Sequence, residues 1–209
     1  GAGAGALAGW IELLLIVGDD NYLGQICQTV TKLSNKNSGV FDRNDLAFAN
    51  PQAMIALVDV ITYAKCQNQK IVKNHLNQIV DQFIEIYSQP KTFDRIFKTE
   101  RGGGAFAANW VMQALIKIES VLKNKNTDPL KQKLIPILLD KEKKSITQEA
   151  TSASALLLAK IPFNTTEMVS NWKELQEQWK IGGFRYFVNE PFYRTDVTSH
   201  VVDVLLNLV

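Results

Sequence analysis

Apolar residues recur along this chain at steps of three and four, the spacing that lays a stripe along one face of an α-helix. The pattern predicts helices over Leu7–Val17, Tyr22–Leu33, Gln52–Cys66, Ile71–Tyr87, Ala105–Leu122, Asp128–Asp140, Thr147–Ile161, Glu167–Lys180 and Val197–Leu208. No stretch alternates in the manner of a strand. Asn50-Pro51 suits a helix start, because Asn caps and Pro at the first helical position gives up an N–H that has no partner anyway. In the fourth helix Leu76, Ile79, Val80, Phe83, Ile84 and Tyr87 are expected to point inward; in the third, Ala53, Ala56, Leu57, Val60 and Ala64 share a face. Pro136 is expected to kink or break the sixth. Pro90 to Gly104, with Phe93, Phe97 and Arg101-Gly-Gly-Gly104, reads as a long loop, its glycine run flexible.

The odd-numbered helices begin with Ala, Ser, Thr or Gly and end aliphatic, as in ATSASALLLAKI and DVTSHVVDVLLNL. The even-numbered ones carry longer and more charged side chains. The odd type returns after roughly 45–55 residues, the period of a repeated helix pair. Small residues let helices approach closely, as an inner wall requires, whereas an outer helix needs only one apolar face. The expected fold is therefore all-α: an α/α toroid, or an arc of one, built from helical hairpins. An open helical solenoid is the alternative.

Composition changes this picture little. The 209 residues suffice for one domain, 7–209, and a net charge of +2 is too small for a nucleic-acid surface. The basic run Lys141-Glu-Lys-Lys144 is short and broken by an acid, so it reads as a solvated turn. No apolar run reaches the ~20 residues that span a bilayer; Trp10–Val17 is interrupted by Glu12 and reads as a buried helix. The alternating Gly-Ala of residues 1–6 reads as a linker segment and is set aside from the fold. Val209 falls inside a helical pattern with no cap, so the chain is expected to be part of a longer protein. Cys27 and Cys66 make no metal motif and are either buried thiols or a disulfide. Asn164-Thr-Thr166 is an N-glycosylation triplet in a loop after Pro162, which points toward a secreted glycoprotein.

From Ile181 the chain runs Gly-Gly-Phe-Arg-Tyr-Phe and reaches Thr195, Asp196, Thr198 and Ser199, side chains suited to a helix N-terminus. This order, a Gly-Gly-aromatic loop and then a Thr/Ser-rich helix, resembles the repeats of the α/α-toroid superfamily: terpenoid cyclases, prenyltransferases, complement-type thioester domains and vitamin B12 carriers. The feature order is most similar to the helical domain of the transcobalamin and intrinsic factor type of carrier. Asn50-Pro51-Gln-Ala-Met-Ile-Ala-Leu through Ala64-Lys-Cys66-Gln resembles one carrier helix, and Lys144-Ser-Ile-Thr-Gln-Glu-Ala-Thr151 through Phe163-Asn164 the next inner one. The resemblance implies an extracellular binding module with cobalamin as its sharpest ligand. It places Gln148, Thr151, Thr195 and Thr198 where polar ligand contacts would lie, although helix capping accounts for the same four residues. The carriers' histidine-rich loop is here Arg101-Gly-Gly-Gly104, so a histidine bond to cobalt is not supported.

The enzymes of the superfamily leave less trace. An Asp-x-Asp-Asp acid for protonating an alkene is absent, and Asp196 and Asp203 are isolated. His200 has no Asp/Cys partners at the spacing that a prenyltransferase zinc site needs. Cys27 lies in Gln-Ile-Cys-Gln, not in the Gly-Cys-Gly-Glu-Gln of a thioester. Two functions from different classes therefore stand: a binding or scaffold module, and an enzyme of the cyclase or prenyltransferase type whose acid or metal ligands lie elsewhere. The first would hold a small molecule or a protein partner at a ring mouth formed by loops 39–49, 89–104 and 181–194. Arg101, Tyr186 and Tyr193 are candidate contacts there, beside Phe93, Phe97, Phe184, Phe187, Phe192 and Arg194.

Overall fold

A computed structural model describes residues 46–47, 49–63, 70–98, 103–123, 125–140, 146–164, 172–185 and 191–193, with single positions 195, 198 and 202. The two helices expected before residue 34, the lysine run 141–144, and the residues Cys27, Cys66, Arg101 and Tyr186 lie outside the described residues. Seven α-helices account for most of what is described: α1 Ala49–Tyr63, α2 Lys70–Ser88, α3 Pro90–Phe97, α4 Gly103–Val121, α5 Asp128–Leu139, α6 Ile146–Leu158 and α7 Trp172–Ile181. Among the described residues there is no β-strand, so the all-α class holds. None of the described helices is long and apolar enough to cross a membrane.

The described helices follow the expected spans closely, with one correction. Pro90–Phe97 is helical, not loop. Pro90 stands at its first position, where a missing N–H does no harm, and the Phe93 N–H donates to the Gln89 carbonyl. Phe93, Ile96 and Phe97 are buried, an i, i+3, i+4 stripe in a helix of two turns. Pro136 does not break its helix, since α5 continues through it to Leu139. The ring is exposed, opposite the buried stripe of Leu130, Leu134 and Leu138. The Gln132 carbonyl that it leaves without an intrahelical donor therefore belongs to an exposed residue on the solvent side.

The chain divides into two compact units: Gly1–Phe93 with Gln113–Leu130, and Asp94–Met112 with Lys131–Val209. In the first unit α2 buries Val72, Leu76, Ile79, Val80, Phe83 and Tyr87, close to the expected stripe, while Ile84 is half-buried. Phe83 and Tyr87 stack tilted with centroids 4.6 Å apart, and the Tyr87 hydroxyl donates to the Leu46 carbonyl. On α1 the core positions are Met54, Ala56, Val58 and Ile61; of the expected face Ala56 is buried, Ala53 and Leu57 are only half-buried, and the side chains of Val60 and Ala64 lie outside the described ones. Lys117 of α4 reaches Asp59 of α1 at 2.6 Å, which sets those two helices side by side. After α4, Thr127 donates its hydroxyl to Glu119, and Asp128 opens α5 where a carboxylate favours the helix dipole.

In the second unit α4 and α6 are wrapped by protein. Ala107, Ala108 and Val111 of α4 are buried, and on α6 every residue from Gln148 to Leu156 is buried. Burial on all sides without a single stripe is the mark of a helix enclosed by its neighbours. Small side chains permit it: Ala150, Ser152, Ala153, Ser154 and Ala155 leave room for close packing. By contrast α2 and α5 keep one buried face each and turn Lys, Gln and Glu outward.

Gly104 belongs to the first turn of α4 and not to a flexible loop. A Cβ there would fall 2.0 Å from the Phe97 carbonyl oxygen, so the absent side chain is what lets α4 start against the end of α3.

Candidate functional site: the glycine turn after α7

Helix α7 stops at Ile181 because Gly182 takes φ 89°, a left-handed conformation that side chains disfavour and that commonly ends helices. Gly183 is buried, and a Cβ on it would lie 3.3 Å from the Cβ of Tyr193, tighter than ordinary contact. The two glycines thus have separate duties, one for backbone conformation and one for space.

The next two N–H groups are both captured by side chains. Phe184 N–H donates to Thr198 Oγ1 at 3.0 Å, and Arg185 N–H donates to Gln178 Oε1 at 2.8 Å. Gln178 is buried on α7, and Thr198 is half-buried in a helical position. The turn is thereby fastened to α7 on one side and to the following helical position on the other. The Phe184 ring is fully buried, which contributes roughly 1.5–3 kcal/mol of apolar burial. It anchors the loop and is not a ligand contact.

Beyond this anchor the surface is aromatic and cationic. The Arg185 guanidinium lies 4.8 Å from the Tyr193 ring centroid, and its Nη2 donates to Tyr193 Oη at 3.1 Å. Tyr193 is nevertheless 38% exposed, Phe192 56% and Ile181 66%. Such a surface is suited to non-covalent recognition: a phenol and a guanidinium for polar groups, ring faces for apolar or cationic ones.

The residues expected as contacts fall into two groups. Tyr193 and Thr198 both meet this turn, one on the Gly183 and Arg185 side and the other through the Phe184 N–H. Thr195 is helical and exposed. Gln148 and Thr151 instead pair within α6, where the Thr151 hydroxyl donates to the Gln148 carbonyl at 3.3 Å; both are buried. Phe93 and Phe97, expected at a loop surface, are core residues of α3.

Gln178 and Arg185 were not among the expected site residues. Arg185 was visible as a cation set between aromatics after a Gly-Gly pair. Gln178 had no signal, because its partner is a backbone N–H whose position only the folded turn defines. Among the described residues no group of three His, Cys, Asp or Glu is placed to hold a metal ion.

No protein-family model, no curated protein and no solved structure matches this chain.

Proposed function

We propose that this chain is a non-enzymatic binding or scaffold module of the α/α-toroid type, acting outside the cell, with its ligand or protein partner docking on the surface of Ile181, Arg185, Phe192 and Tyr193. The observation that carries the reading is Tyr193. It is a large aromatic side chain left exposed while the Arg185 guanidinium donates to its hydroxyl and lies near its ring, which lessens the ordering still to be done on binding. The toroid reading draws support from the contrast between the enclosed helices α4 and α6 and the one-sided helices α2 and α5. A cobalamin-type corrinoid is the sharpest small-molecule ligand for such a module, given the resemblance of the feature order to that of the B12 carriers.

The test is a titration of cobalamin into the 209-residue chain, followed by the corrin absorbance and by tryptophan quenching. Saturable binding is expected, weakened about tenfold or more in Tyr193→Ala, the range for loss of an aromatic anchor. A flat titration with the unaltered chain removes the corrinoid. A Tyr193→Ala variant that binds as tightly as the parent removes the turn as the site.

A further inference from the structure

The loop after α6 carries a chemistry that the binding reading does not use. The helix ends in a crossed pair of hydrogen bonds: Ile161 N–H donates to the Leu156 carbonyl and Lys160 N–H to the Leu157 carbonyl, each at 2.9 Å. Lys160 sits at φ 56°. This is the Schellman arrangement, which closes the last turn and sends the chain away from the helix axis. Pro162 has no N–H with which to start a new helical turn at once. Residues 161–164 alternate in exposure: Ile161 and Phe163 half-buried, Pro162 and Asn164 exposed. Period-two alternation is that of an extended chain, with Ile161 and Phe163 holding it down and Asn164 turned to solvent.

Asn164 begins Asn-Thr-Thr, the only Asn-x-Ser/Thr triplet in the 209 residues. The triplet alone is common and decides little. The placement decides more, because a bulky glycan needs an exposed asparagine outside regular structure. A middle residue other than proline and a hydroxyl two residues on complete the acceptor.

We propose that Asn164 is an N-glycan acceptor. In the transfer its side-chain nitrogen Nδ2 forms a bond to the anomeric carbon of an oligosaccharide carried as a lipid pyrophosphate. The bond from that carbon to the pyrophosphate oxygen breaks, the lipid pyrophosphate leaves, and Nδ2 gives up one proton to the transferase. No oxidant or reductant is involved.

The site rests on the extracellular part of the reading above and not on its ligand. An unmodified Asn164 overturns the glycan and leaves the cobalamin titration standing, and a flat titration leaves the glycan standing. The experiment is mass analysis of the protein isolated from the cells that make it, before and after peptide N-glycosidase treatment. The expected result is a loss of glycan mass on treatment, with the peptide spanning Asn164 recovered carrying aspartate at that position. Expressed in the same cells, Asn164→Gln and Thr166→Ala are expected to lack the glycan, and Thr166→Ser to keep it. A native peptide with Asn164 bare overturns the proposal, as does a glycan that persists in Asn164→Gln.

Discussion

A methyl group at position 104 would lie 2.0 Å from the carbonyl oxygen of Phe97 and 2.8 Å from its carbon. Two effects oppose each other there. Alanine is the better helix former by up to about 1 kcal/mol, a gain diluted in a first turn. The atoms it would meet are backbone, so relief requires α3 and α4 to move apart, and overpacking of that kind costs about 1–3 kcal/mol. Strain wins, so Gly104→Ala is expected to lower the unfolding free energy by about 1–3 kcal/mol, read as a lower urea midpoint at unchanged slope. An unchanged midpoint would mean that the two helices do not meet at this carbonyl. Gly183 is a milder case, its nearest neighbour being a side-chain carbon at 3.3 Å with some freedom to shift.

At the scale of elements, α5 holds an untapped source of stability. Pro136 lies inside the helix, exposed, with the Gln132 carbonyl lacking an intrahelical donor. Alanine in its place restores a donor and removes the ring, so Pro136→Ala is expected to raise stability by about 1–3 kcal/mol, measured by thermal or urea unfolding. A loss would show that the ring has a packing role on its exposed side. Helix α3 teaches the opposite lesson about proline. The spacing of Phe93, Ile96 and Phe97 is a helix signal, and Pro90 a starting residue, although the stretch from Pro90 to Gly104 reads as a long loop. Eight residues with one buried stripe are too short for periodicity alone to decide, and packing settled it. The ion pair Lys117–Asp59 fixes neighbours but contributes under about 1 kcal/mol, since both side chains are partly exposed.

At the scale of the whole molecule, both units are discontinuous in sequence, and α4 passes through the boundary between Met112 and Gln113 without a break in its helix. A helix shared in this way favours joint unfolding, because melting one half frays the other. Trp110, Trp172 and Trp179, three of the four tryptophans, fall in the second unit. Tryptophan fluorescence therefore reports mainly on that unit and far-UV circular dichroism on all the helices. The two urea transitions are expected to coincide; a clear separation would show that the units unfold one at a time. The sequence by itself determined that the described chain is helical, where most helices lie, and that α4 and α6 are enclosed while α2 and α5 are one-sided. Those properties are written in the spacing of apolar residues and in side-chain size, both local. Only tertiary structure decided that α3 is a helix, that Gly104 must be bare, that Gln148 and Thr151 are buried together, and that Thr198 and Gln178 hold the turn beside which Tyr193 lies. Each of these depends on atoms that meet through folding, and residue spacing carries no record of such a meeting until the chain has packed.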